Sequence, residues 1–263
     1  MDLYFRQMQF FLKKMAEGIE LSIVIPNFNS GILLDYTLKS IFSKETSLSF
    51  EVLIMDNLSR DNPRQYIENY SAKPILFYTE NDGGIYYAMN KGLRLAKGNW
   101  LIFLGAGDEL LIDTVEKIKF NQMQEYKFIY ANTRLLKNNK IYDGEFDLLK
   151  LMKRNISHQA IFYNNSIFKE LGGFDINFKI TADYIFNLKV FLCHFNAIKY
   201  VPYVVSCFMF GGLSDRVRDD YFQDNKLAII NRLVLININW RNFIALLRYD
   251  LFYLQKFIRL KFG

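Results

Sequence analysis

LSIVIPNFNSGILLDYTLKSIF, residues 21–42, carries the decision on the fold. Residues 21–26 are a short β-branched apolar run closed by proline, which predicts a strand buried on both faces, as in a parallel sheet. Asn27, Phe28, Asn29, Ser30 and Gly31 form a turn, with Ser30 placed to cap the helix that begins ILLDYTLKSIF. Related units follow. FEVLIM at 50–55 predicts a second strand, ending at Asp56 and the polar turn DNLSRDN, before a helix through Tyr66. PILFYT at 74–79 predicts a third, followed by the turn at 80–84 and a helix containing Tyr86, Met89, Asn90 and Leu93. The fourth, at 100–104, runs into Gly105, Ala106, Gly107, Asp108 and Glu109. Strands alternating with helices predict a doubly wound α/β sheet.

Composition sets the bounds around that reading. With 263 residues, 51% hydrophobic and 23% charged, the chain has enough apolar material for one large domain or two small ones. Disorder, collagen-like repeats and a disulfide scaffold are excluded. Two cysteines, Cys193 and Cys207, point to a thiol-tolerant setting such as the cytoplasm, and two histidines are too few for a histidine-built metal site. No stretch reaches the roughly 18 uninterrupted apolar residues of a membrane span. The first 20 residues lack the apolar core and small-residue cleavage site of a secretory signal. They read as a short amphipathic extension, or as sequence upstream of an initiator at Met15. The net charge of +6 is concentrated: from Lys226 onward there are seven basic residues and one acid, Asp250, which accounts for all of it.

In a doubly wound sheet the ligand lies beyond the carboxyl ends of the strands. The polar residues expected there are Asn27 and Asn29 after the first strand, Asp56 after the second, Asp82 after the third and Asp108 after the fourth. Several acids on one rim predict a polar or metal-bearing pocket for a nucleotide-type ligand.

Five segments sharpen this. SIVIPNFNS, VLIMDNLSRDN, ENDGGIYYAMNKGLRLAKGNWLIFLGAGD, SHQAIFYNNSIFKELGGFD and FKITADYIFNLKV together resemble the family 2 glycosyltransferases, in the family's order and over most of the chain. The resemblance implies the GT-A fold, a Rossmann-like mixed sheet flanked by helices. It implies a nucleotide-sugar donor held by the first half, with a divalent cation, Mg²⁺ or Mn²⁺, on the diphosphate. Pro26 and Asn27 match the stretch lining the nucleotide pocket, and Asp56 matches the aspartate that hydrogen-bonds the base, which would favour uracil. A turn or cap role is the alternative for Asp56. Asp82 and Gly83 match a stretch running close to the donor, where glycine lets the backbone approach phosphate or ribose. Asn90 and Lys91 match less specifically. Ala106, Gly107 and Asp108 stand where the family has Asp-x-Asp, so only the last acid is kept. Oxygen ligands from the diphosphate and water can complete a cation's shell, and Asp108 is the expected metal ligand, with Glu109 adjacent.

For the second half the resemblance implies an inverting single displacement with Asp183, at the start of a helix, as the base. A cap or first-turn role is the alternative. His158 and Gln159 match a pair facing the donor phosphates or sugar. Gly172, Gly173 and Asp175 read as a turn shaping the acceptor side, and His194 as a packed residue.

The expected organisation is an N-terminal extension at 1–20, a GT-A domain at 21–225 and a basic amphipathic helical tail at 226–263. Within the domain, 21–109 form the nucleotide-sugar half and 110–225 the acceptor half. In the tail, Trp240, Phe243, Ile244, Leu247, Leu251, Leu254 and Ile258 recur at steps of three and four, with cations elsewhere on the wheel. That pattern suits an anionic membrane surface; packing on the chain's own domain and self-association into a homo-oligomer are the alternatives. A neutral body without a nucleic-acid-reading motif argues against RNA or DNA. The expected function is transfer of a sugar from a nucleotide sugar, UDP-linked by preference, to a glycan or lipid-linked glycan in surface polysaccharide assembly. The expected location is the cytoplasm, peripheral to the inner face of the cell membrane. Two alternatives stand beside it. One is a catalytically silent GT-A scaffold that binds a partner or membrane. The other is a sugar nucleotidyltransferase, which would need a Gly- and Arg-rich loop that is not seen.

Overall fold

A computed structural model describes residues 18–142, 144–210 and 217–262. Most of the expected N-terminal extension, including Met15, lies outside them. The first half contains β1 (Leu21–Asn27), α1 (Gly31–Phe42), β2 (Phe50–Asp56), α2 (Arg64–Ile67), β3 (Ile75–Thr79), α3 (Ile85–Leu95) and β4 (Trp100–Phe103). β1 pairs in parallel with β2 and β4, and β2 with β3. The spatial order β3-β2-β1-β4 is that of half a doubly wound sheet.

The pleat explains the unbroken apolar runs. Leu21, Ile23 and Ile25 point into one core with Leu34, Leu38 and Ile41 of α1. Val24, between them, points into the other core with Tyr86 and Met89 of α3. Close approach on that second face requires Gly92, since a Cβ there would stand 2.3 Å from Val24 Cγ1.

Beyond β4 the chain adds β5 (Glu109–Leu110), α4 (Ile112–Val115), β6 (Phe128–Leu135), β7 (Lys140–Tyr142), α5 (Leu148–Lys153), β8 (Ile161–Asn164), α6 (Asn165–Leu171), α7 (Ala182–Cys193) and β9 (Ile198–Phe208). The sheet continues β8-β6-β9-β5, with β7 on β6, giving nine strands among the described residues. β8 runs antiparallel to both β4 and β6, so the whole is a mixed sheet flanked by helices.

Two expectations change in detail. Ser30 does not cap α1: its hydroxyl donates back to Phe28 O at 3.0 Å. The Gly31 N–H donates instead to Asp61 Oδ2 at 2.7 Å, a carboxylate supplied by the next loop. The expected tail boundary at 225/226 also falls inside a helix, because α8 spans Asp220–Ile236. With α9 (Trp240–Phe262) it forms a hairpin whose Phe222, Ile230, Val234, Leu246 and Tyr249 join the core of α5 and α7. Each such side chain contributes about 1.5–3 kcal/mol of burial.

Candidate active site

At the carboxyl ends of β1 and β2, Asn27 and Asp56 are adjacent in register and both buried. Asp56 joins the ends of three strands. Its Oδ1 accepts Asn27 Nδ2 at 2.7 Å and Ser59 Oγ at 2.5 Å; its Oδ2 accepts Thr79 Oγ1 at 2.9 Å and Ser59 N at 3.1 Å. Because the carboxylate demands donors, the Asn27 amide is oriented, and its buried Oδ1 is left with no partner. Pro26 precedes it within β1. Asn29, at φ 49°, ties the neighbouring loops: its N–H donates to Ser59 Oγ and its Oδ1 accepts Arg60 N.

Asp56 lines a cleft of about 390 Å³ together with Asp82 and Gly83, between the ends of β2 and β3 and the start of α3. Tyr78, Lys91 and Arg94 complete its walls, so the cleft carries both signs of charge and an aromatic face. Asp82 Oδ1 accepts Gly84 N, and Asn57 Oδ1 accepts Asp82 N. Burial raises the Asp82 pKa above its usual value. Gly84, at φ 129° and ψ −178°, occupies backbone space that is essentially glycine's own. Lys91 pairs with Glu80 at 2.6 Å, while Asn90 bonds both the N–H and the carbonyl of Phe174. Asn90 therefore fixes the turn at 172–174 on α3 rather than facing the cleft.

A second group of buried polar residues follows β4 and opens α7. Ala106 and Gly107 form the turn after β4, pinned by Thr37 Oγ1, which accepts Gly107 N and donates to Asp108 O. Asp108 is buried; its Oδ1 accepts Met209 N at 3.0 Å and its Oδ2 accepts Gln159 Nε2 at 3.1 Å. Burial pushes its carboxyl up to about 6, opposed by the charge of nearby His158 and by the Met209 and Gln159 hydrogen bonds. The neighbouring Glu109 is engaged by the Tyr36 hydroxyl. Asp183, in the first turn of α7, is also buried. Its Oδ1 accepts Tyr86 Oη at 2.6 Å and its Oδ2 accepts Asn155 Nδ2 at 2.7 Å.

The two carboxylates are joined by one short segment. Asn155 holds Asp183, and Gln159, four residues on, holds Asp108. Asn155 Oδ1 in turn accepts Asn187 Nδ2, whose own Oδ1 accepts Tyr163 Oη. Asp175 holds only its own turn, through Asn177. His194 faces Glu170, away from the site.

Among the described residues no group of three or more His, Cys, Asp or Glu is placed to hold a metal ion. Asp108 fits a cation in a narrower way. Its carboxylate is approached by the N–H groups of Met209, Gln159 and Gly105, which fill three of its roughly four lone-pair directions, so it could give a cation one oxygen contact if other oxygens come from elsewhere.

The chain is similar to known proteins in sequence and in fold. The family model for glycosyl transferase family 2 matches residues 22–180. The chain belongs to that family. A PGL/p-HBAD biosynthesis glycosyltransferase of Mycobacterium bovis is 33% identical over 209 residues, covering 76% of this chain and 81% of the relative. The Staphylococcus aureus TarS structure in complex with UDP-GlcNAc superposes with a TM-score of 0.71 at 17% identity, over 88% of this chain and 71% of that one. The Pyrobaculum calidifontis mannosyltransferase PcManGT, in complex with GDP-Man and Mn²⁺, gives 0.62 at 15% identity, over 88% and 68%. The fold is thus GT-A, and the chain is a glycosyltransferase. Of the residues in this candidate site, the sequence had singled out Asp56, Asp82, Asp108, Gln159 and Asp183. Tyr86 and Asn155 were missed as site residues, although both sit within or beside segments already singled out.

Proposed function

We propose that this glycosyltransferase moves a sugar from a nucleotide-sugar donor, UDP-linked by preference, to a glycan or lipid-linked glycan hydroxyl, with inversion at the anomeric carbon. The observation that carries the reading is the pair of buried carboxylates, Asp108 and Asp183, held by one segment through Gln159 and Asn155. Inversion needs two functions on opposite sides of one carbon: a base for the acceptor hydroxyl and stabilisation for the departing diphosphate. Asp183 takes the first, held by Tyr86 and Asn155 with its oxygens oriented. Asp108 would serve the second by holding a divalent cation, which diphosphate oxygens and water could ligate further. Such a cation would neutralise charge building on the leaving group. The Asp56–Asp82 cleft receives the nucleoside, with Tyr78 and Tyr87 offering aromatic surface and Lys91 and Arg94 positive charge. The UDP-GlcNAc complex of TarS supports a nucleotide-sugar donor, and the Mn²⁺ complex of PcManGT supports a cation. The mycobacterial relative's name places that protein in PGL/p-HBAD biosynthesis, consistent with a glycolipid or polysaccharide acceptor.

The test begins with thermal shifts against UDP-, GDP- and dTDP-sugars with Mg²⁺ or Mn²⁺, since a ligand bound only by the folded state raises stability. Asp183→Asn is expected to keep the donor-induced shift while transfer falls at least about 10²-fold. Asp108→Ala is expected to abolish transfer and the cation-dependent part of the shift. Full transfer in either variant removes that residue from its role. No turnover with any donor would favour the silent scaffold.

A further inference from the structure

α9 carries two apolar faces, and only one is used inside the protein. The packed face is Asn242, Leu246, Tyr249 and Tyr253, which meets α5, α7 and α8. The stripe formed by Trp240, Phe243, Leu247, Leu251 and Leu254 lies on a different side of the helix, centred roughly 140° from the packed face at 3.6 residues per turn, and points outward. Trp240 is 76% exposed; the three leucines are each more than half exposed. Packing on the chain's own domain therefore does not account for this stripe. Leu235 and Ile236 at the end of α8, and Ile238 in the turn before α9, are also more than half exposed.

The cations divide in the same way. Lys226 and Arg241 turn inward: Lys226 Nζ donates to Lys153 O at 2.8 Å beneath the Tyr184 ring, and Arg241 lies 3.3 Å from the centre of the Phe195 ring. Arg232, Arg248, Lys256 and Arg259 are exposed. Asp250, the one acid from Lys226 onward, is only half-buried beside the packed face. α9 is thus an outward apolar stripe bordered along one edge by cations, and among the described residues no helix is long and apolar enough to cross a membrane.

We infer that the α8–α9 hairpin docks on an anionic membrane surface, lying in its plane with the Trp240–Leu254 stripe among the acyl chains and Arg232, Arg248 and Arg259 on lipid phosphates. The stripe extends about 21 Å along the helix at 1.5 Å per residue, and an apolar face bordered by cations is the pattern of helices that lie in the interface. Charge selects the lipid over a second copy of the chain. A symmetric dimer through this face would set the same arginines against each other with no exposed acid on the stripe to pair them. Anionic headgroups supply what the face lacks. The inference does not depend on the transfer chemistry.

Co-sedimentation of the full chain with vesicles tests it. Binding is expected with mixed phosphatidylcholine–phosphatidylglycerol vesicles, weak with phosphatidylcholine alone, and declining with added salt. The double variant Leu247→Ser/Leu251→Ser should bind about tenfold less or weaker still, and Arg248→Glu/Arg259→Glu should lose most of the preference for anionic lipid. Both pairs are on the exposed face, so melting temperature and transfer to a soluble acceptor should stay as in the parent. Equal vesicle binding by parent and variants overturns the inference. So does a parent that ignores anionic vesicles, including one that instead forms a dimer which Leu247→Ser/Leu251→Ser dissociates.

Discussion

Asp108 and Asp183 were legible in the sequence because their settings are local: one ends a strand-and-turn, the other opens a helix. Their partners were not. Tyr86 reaches Asp183 across 97 residues of chain and Asn155 across 28, distances at which no spacing rule operates. Asp56 shows the reverse limit. Its position at a strand end was readable, but its saturation by Asn27, Ser59 and Thr79 depends on three strand ends meeting in register. The Tyr86 contact carries a residue-scale prediction. Tyr86→Phe leaves the ring and its packing against Phe174 in place and removes only the hydroxyl. With Asp183 free to swing about the Asn155 contact, kcat should fall about tenfold while the donor KM stays within about twofold, because the lost interaction orients a reacting group and binds no donor. Steady-state kinetics check the split. Equal changes in kcat and KM would make the hydroxyl a general structural contact instead.

At the scale of elements, β1, β2 and β4 could be read because strands buried on both faces are largely apolar, β3 because it is a short apolar run at the sheet edge, and each ends in a polar turn. The second half resisted reading for a physical reason. β8 pairs antiparallel with β4 and β6, while β9 closes on β6 through register shifts, and none of this pairing leaves a periodic trace. α8 illustrates the same point in its energetics. Its Lys226 looked like part of a basic tail, yet it is bedded between Tyr184 and Phe222, and burial pulls its pKa down from 10.5 to about 8. Between those values the unfolded chain holds a proton that the folded protein has released, so stability must rise with pH across that window. Below about pH 8 both states are charged and the burial cost is felt in full. Lys226→Met should therefore flatten the pH dependence of melting between about pH 8 and 10.5, which thermal melts on both proteins would show. An unchanged slope would mean that Lys226 keeps its proton throughout.

For the whole molecule, the decisive fact is that the basic hairpin is built into the catalytic body rather than appended to it. Charge counting separated body from tail; the core of α5, α7, α8 and α9 rejoins them. Asp219 is the covalently neighbouring link. Its Oδ1 accepts Phe222 N at the start of α8, while its Oδ2 accepts Lys179 N and Thr181 Oγ1, both at 2.9 Å, in the turn leading to α7. That turn sets the position of Asp183 two residues later. One buried carboxylate thus couples the α8–α9 hairpin to the turn that carries the proposed base. Asp219→Ala strips these donors of their acceptor in a buried place, at about 1–3 kcal/mol for each group left unsatisfied. The melting temperature should drop by several degrees, about 2–4 °C for each kcal/mol in a chain of this size. Transfer should fall further than the folded fraction explains, because α7 loses the anchor before Asp183. Comparing kcat per folded molecule with that of a variant destabilised elsewhere, such as Ile41→Ala at the end of α1 in the other core, separates the two effects. Equal specific activity in both would leave Asp219 as an anchor of stability alone.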